Sequence, residues 1–144
     1  MDTREATTTL VQCFESLAPE RVEDLLRLYH PQARFKDPFN DVQGHAAIAQ
    51  VFHHMYRSLE APHFVVTRQL VDGAEAFLTW DFRFHFRGVG GPGMQTVRGA
   101  THLVFDAQGL VTLHRDYWDV AEELYEKLPV LGSLMRWLKA RARH

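Results

Sequence analysis

The chain has 144 residues, 46% of them hydrophobic, which matches one domain with enough apolar side chains to bury a core. Sixteen Lys and Arg against 18 Asp and Glu leave a formal net charge of -2, so no field attracts a polyanion and no nucleic-acid partner is expected. The single cysteine, Cys13, cannot close an internal disulfide, Met1-Asp2-Thr3-Arg4-Glu5 lacks the apolar stretch of a secretory signal, and no apolar run nears a bilayer span, so a cytoplasmic protein is expected.

Leu10, Phe14 and Leu17, with Val11 and Cys13 beside them, recur at helical spacing and predict an amphipathic helix from Thr3 to Leu17. Pro19 suits the first turn of a second helix, whose apolar face is Val22, Leu25, Leu26 and Tyr29 and which His30-Pro31 stops. The alternating run Ala33-Arg34-Phe35-Lys36-Asp37-Pro38 predicts a strand, and Asp41 to Gly44 a turn. Ile48, Val51, Phe52, Met55, Tyr56 and Leu59 mark a third helix closed by Ala61-Pro62. Residues 63–72, 76–87, 95–105 and 110–119 then read as strands joined by turns at Asp72-Gly73, 88–93 and 106–109, an antiparallel meander.

Three helices packed on one face of a curved antiparallel or mixed sheet make an α+β cone, spanning residues 1–120, with 121–144 as a helical extension of the same domain. Over residues 5–120 the chain resembles the nuclear transport factor 2-like superfamily, in its SnoaL-like and ketosteroid-isomerase-like branch. The resemblance rests on the order of four motifs: Val11-Gln12-Cys13-Phe14, Phe35-Lys36-Asp37-Pro38, Gly44-His45-Ala46-Ala47-Ile48 and His114-Arg115-Asp116-Tyr117-Trp118-Asp119.

Asp37 is the first candidate for chemistry. Pro38 restricts it to an extended conformation and ends the strand, so its side chain can face a cavity, where lost hydration makes a carboxylate a better base. The resemblance implies a proton shuttle here, as in the matching Asp-Pro motif of ketosteroid isomerases; the alternative is that Asp37 caps the turn into Phe39-Asn40-Asp41. The same resemblance implies two oxyanion donors, a tyrosine on the first helix and a protonated acid on the penultimate strand. Those positions fall on Phe14 and Thr101. Loss of one such donor costs about 3 kcal/mol in barrier, so an efficient ketosteroid isomerase is not expected.

His114, Asp116 and Trp118 alternate on the last strand and share one face, successive members about 7 Å apart. If that face is internal, a histidine and a carboxylate flank the cavity opposite Asp37, a set suited to cofactor-independent isomerase, cyclase, hydrolase or lyase chemistry. Asp37, His114 and Asp116 are thus the candidate catalytic residues. Phe14, Tyr29, Phe52, Tyr56, Trp80, Phe82, Phe84, Thr101 and Trp118 are the candidate substrate-binding residues, and a hydrophobic small molecule the expected ligand. The competing reading is a binding module or assembly partner with the same cavity and no chemistry.

Nine histidines raise a metal site, but His53-His54 diverge by about 100° on a helix and no His-x-x-x-His or cysteine cluster occurs, so no metal and no cofactor are expected. Beyond the sheet, Leu128, Leu131, Leu134, Met135 and Leu138 recur at helical spacing beside Arg136, Lys139, Arg141 and Arg143. They predict an amphipathic basic helix that packs on its own domain or a partner, or rests on an anionic membrane. The exposed face of the sheet needs covering, and a homodimer through it is expected.

Overall fold

The structure, a computed structural model, describes residues 2–87, 93–123, 137–138 and 140–142. Asp2 starts the first helix, α1 (Thr3–Glu15), by accepting the Glu5 backbone N–H at 2.8 Å, which satisfies one of the donors that a helix start leaves open. Ala6, Thr7, Leu10, Val11 and Phe14 form its buried stripe. A 3-10 turn at Pro19–Arg21 leads into the short α2 (Val22–Leu26), followed by the strands β1 (Tyr29–Lys36) and β2 (Asp41–Gln43) and by α3 (His45–Ser58). Four strands complete the sheet: β3 (Leu59–Asp72), β4 (Glu75–Phe86), β5 (Met94–Phe105) and β6 (Val111–Tyr117), with the single turn α4 (Val120–Glu123) after them.

The sheet is six-stranded, mixed and not closed, in the order β2-β1-β6-β5-β4-β3. β3 to β6 form the antiparallel meander read from the sequence, while β1 joins β6 in parallel. α3 touches β1 near one edge and β3 at the other, so the sheet curls around it, and α1 packs against β3 and β4. The resulting α+β cone matches the expected class. Its core holds Leu10, Leu25, Ile48, Leu78, Leu103 and Val111, all essentially inaccessible to solvent.

Three local readings are corrected. Tyr29, assigned to the face of the second helix, is the first residue of β1, because α2 ends at Leu26 and the Leu28 N–H turns back to the Leu25 carbonyl. The turn expected at Asp41 to Gly44 is largely β2, whose Asp41 pairs with Lys36. α3 ends at Ser58, and β3 absorbs Ala61 and Pro62 in an irregularity between Glu60 and His63, where Ala61 takes the left-handed φ of 50°.

The outer face of the sheet carries apolar side chains: Leu70 lies opposite Phe77, which stacks on the His102 ring at 4.6 Å, and Tyr117 is exposed on β6. No helix among the described residues is long and apolar enough to cross a membrane. Most of the expected basic amphipathic helix, including Leu128, Leu131, Leu134, Met135, Arg136, Lys139 and Arg143, lies outside the described residues; Trp137 and Leu138 are exposed.

Candidate functional site

Strand register assembles the site. Thr101 on β5 sits directly opposite Asp116 on β6, Leu103 opposite His114, and His114 opposite Phe35 on β1. The alternation of β6 puts His114 and Asp116 on the inner face, and Trp118, beyond the strand end, lines the same cavity as Asp116. The shared face of these three residues, read from spacing, is therefore internal.

A chain of hydrogen bonds runs through this face. Trp80 Nε1–H donates to Thr101 Oγ1 at 2.8 Å, and the Thr101 hydroxyl donates to Asp116 Oδ1 at 2.6 Å. His114 Nε2 lies 2.7 Å from the same Oδ1, and its Nδ1 lies 2.6 Å from the Tyr29 hydroxyl. Burial, reinforced by the charges of Asp116 and Cys13, pushes the Tyr29 hydroxyl well above its ordinary pKa, so it keeps its proton. With that hydroxyl as donor to Nδ1, Nε2–H donates to the carboxylate and both ring nitrogens are satisfied. Packing fixes that ring: Phe35 lies 4.5 Å from it, and Phe14 meets it edge-on at 5.6 Å. Asp116 Oδ2 has no hydrogen-bond partner among the described residues.

Asp116 borders three spaces. A void of about 20 Å³ lies beneath it against Phe14, Thr101 and His114, enough for a water-sized occupant. A cavity of about 290 Å³ opens beside it, walled by Phe52, Phe64, Trp80, Phe82, Phe84 and Trp118. A third, more polar space of about 270 Å³ shares Asp37, Asp116 and Trp118 with that cavity. The large cavity is overwhelmingly apolar, with Asp37, Asn40, His54, Ser58 and Asp116 as its polar members.

Asp37 caps its turn and also borders the large cavity. Its Oδ1 accepts the backbone N–H of Phe39 at 2.8 Å and of Asn40 at 2.7 Å, with the Asn40 amide at 3.0 Å, so it caps the turn. It also lines the large cavity together with Asp116, so the two carboxylates share one chamber. That turn presents Phe39 edge-on to Trp118 at 5.6 Å, forming part of the cavity rim.

Of the expected ligand-contacting residues, Phe52, Trp80, Phe82, Phe84 and Trp118 line the large cavity, and Phe14 and Thr101 line the void. Tyr29 and Tyr56 line none of the three spaces: Tyr29 is the buried partner of His114, and burial raises the Tyr56 hydroxyl to about 12. Phe35, Phe64 and Asn40 were missed. Phe35 was legible in principle, since it stands two residues before Asp37 in the alternating run, whereas Phe64 is placed by its pairing with Phe82 across the β3–β4 ladder. Among the described residues no group of three or more His, Cys, Asp or Glu side chains could hold a metal ion.

Residues 10–114, from within α1 to His114 on β6, match the family model of the SnoaL-like domain. The chain belongs to the SnoaL-like family. Solved structures share the fold of this SnoaL-like protein. A hypothetical protein with a ketosteroid isomerase-like fold from Catenulispora acidiphila, crystallised with trimethylamine, has TM-score 0.71 and 19% identity over 85% of this chain and 92% of that one. A putative SnoaL-like polyketide cyclase from Shewanella denitrificans has TM-score 0.67 and 16% identity over 85% and 96%. An LEH-like epoxide hydrolase from M. tuberculosis has TM-score 0.65 and 18% identity over 83% and 84%. At such identities the likeness is one of fold. No curated protein matches the chain.

Proposed function

We propose that this SnoaL-like protein is a cofactor-independent acid–base enzyme, an isomerase, cyclase, hydrolase or lyase, acting on a hydrophobic small molecule held in the 290 Å³ cavity. The observation that carries this reading is the state of Asp116: one oxygen is held by Thr101 and His114, and the other, beside an apolar chamber, has no partner among the described residues. A carboxylate so oriented can take a proton from a bound ligand and return it elsewhere on the same molecule. Asp116 is the catalytic residue in this account. His114 and Thr101 are positioning residues, as is Tyr29, which sets the His114 tautomer. Asp37, engaged by its own turn, positions the rim and adds a second charge to the chamber. The polyketide cyclase and epoxide hydrolase among the similar folds agree with that class of chemistry.

Enolate stabilisation of the ketosteroid type is not part of this function. Phe14 has no donor, and the Thr101 proton is committed to Asp116. The test is a panel of terpenoid epoxides, aldol precursors and conjugated ketones, with a β,γ-unsaturated ketosteroid, followed by mass spectrometry on purified protein in the presence of EDTA. Turnover of at least one non-steroid member is expected, and ketosteroid conversion no faster than with free carboxylate. Tight binding across the panel without turnover would replace the enzyme by the second reading, a ligand-binding module, which the engagement of Asp37 in its own turn also favours.

A second copy of this chain covering Leu70, Phe77 and Tyr117 on the outer sheet face completes the proposal, since exposed apolar side chains there are stabilised by burial. Sedimentation equilibrium at twice the 16.7 kDa chain mass is the expected result, and a single-chain mass at micromolar concentration would remove the dimer.

A further inference from the structure

The polar space beside Asp116 is a slot between two strands. β1 and β6 run parallel through the pair Lys36–Arg115, after which Pro38 ends the pairing on one side while β6 continues to Tyr117. The strands part there, and the opening is lined by Lys36, Asp37, Arg115, Asp116, Tyr117 and Trp118. Because Asp37, Asp116 and Trp118 also line the apolar cavity, the slot continues that cavity toward the outer side of the sheet.

Two cations, Lys36 and Arg115, and two carboxylates, Asp37 and Asp116, line the slot. Lys36 and Arg115 are direct cross-strand neighbours, an arrangement that like charges disfavour unless an anion lies between them. The nearby Asp41 is already engaged by both Arg34 nitrogens, at 2.9 and 2.6 Å, whereas Lys36 reaches it only at 3.8 Å. Arg34 first, with Lys36 and Arg115 adding to it, holds the Asp41 carboxyl below the usual carboxylate range. The Arg115 guanidinium makes no hydrogen bond or ion pair among the described residues, yet it is held in place 4.6 Å above the Tyr117 ring. A guanidinium fixed by stacking, with its N–H edge uncommitted, is preorganised for a planar anion. The carboxylates that share the slot are engaged mainly through one oxygen each: Asp37 Oδ1 by the Phe39 and Asn40 N–H groups and the Asn40 amide, which also reaches Oδ2 at 3.1 Å, and Asp116 Oδ1 by Thr101 and His114.

We propose that the ligand of this protein is an amphipathic carboxylate, its apolar body in the 290 Å³ cavity and its carboxylate in the slot between β1 and β6, bound by Arg115 and Lys36. This rests on the reading of the apolar cavity as the ligand site. The two regions bracket Asp116, so a ligand anchored this way places the atoms near its carboxylate end, rather than its distal end, against Oδ2, which has no partner among the described residues. An acid whose α or β carbon carries the exchangeable proton is the substrate class that follows.

The experiment compares ligands that share a body and differ in head: naphthylacetate against naphthylethanol, and decanoate against decanol, measured by calorimetry on the full chain. The acids are expected to bind about ten- to a hundredfold more tightly, the yield of charge-assisted hydrogen bonds, and less so as salt is raised. In the double variant Arg115→Gln with Lys36→Gln the preference should fall to within about threefold, with the alcohols bound as before. Each single variant provides the same reading should the double variant melt early. Equal binding of acid and alcohol by the unmodified chain, or a preference that survives the double variant, would overturn the anion site and leave the apolar cavity standing. Failure of all four compounds to bind would overturn both.

Discussion

Gly99→Ala is expected to destabilise the protein by about 1–3 kcal/mol, the usual cost of forcing atoms into a packed interior. Gly99 lies directly across from Trp80 in the β4–β5 ladder, and the indole uses the space that any side chain at residue 99 would take. A Cβ built there would stand 2.4 Å from Trp80 Cη2 and 2.6 Å from Cζ2, with Cζ3 at 2.9 Å, so the ring must move. Movement of the ring strains the bond from Nε1 to Thr101, which in turn holds Asp116, and it deforms the wall of both the void and the large cavity. A lower denaturation midpoint, a shifted tryptophan emission and weaker ligand binding should therefore appear together. Stability within about 0.5 kcal/mol of the unmodified chain would show that Trp80 is free to rearrange and that the Trp80–Thr101 link is not structural.

This sensitivity could not be read from the sequence, although much around it could. The period-two run of Trp80, Phe82, Phe84 and Phe86 placed aromatic side chains on one face of β4, and those residues do line the cavity. The role of Gly99 depends on which residue faces it across the ladder, a matter of register between strands that local pattern does not encode. The same limit hid the partner of His114. Tyr29 is 85 residues away, and it was placed on a helix because Val22, Leu25, Leu26 and Tyr29 keep helical spacing through the start of β1. Pro31 marks a helix stop in the sequence, and β1 accommodates it because the pairing with β6 is interrupted between Tyr29 and Arg34.

The candidate site was half legible for a related reason. Spacing of two along β6 is a property of the strand itself, so the common face of His114 and Asp116 followed directly, and the 2.7 Å contact between them agrees. Whether that face is internal depends on the curl of the whole sheet. The Asp37-Pro38 motif was the strongest local signal, and its geometry joins the two roles that the sequence left open: the carboxylate caps its turn and still borders the chamber. What the motif could not convey is the division of labour. Among the described residues Asp37 accepts four hydrogen bonds at its Phe39–Asn40 turn, whereas Asp116 keeps one oxygen without a partner, so the proposed chemistry rests on the last strand rather than on the Asp-Pro motif.

That assignment is tested most directly by Asp116→Asn, assayed on whichever panel compound the unmodified protein converts. The amide is close to isosteric and its oxygen can still accept from Thr101 and His114 at the positions Oδ1 occupies, so the fold should lose no more than about 1 kcal/mol. It cannot take up a proton as a carboxylate does, and kcat should fall about 10²- to 10⁴-fold, the contribution typical of a positioned general base. Apolar ligands should bind as before, because the cavity walls are untouched. A kcat within about threefold of the unmodified protein would contradict the account, as would a large loss of stability with the folded fraction still fully active, since either result makes His114 and Asp116 a buried polar pair that only supports the sheet.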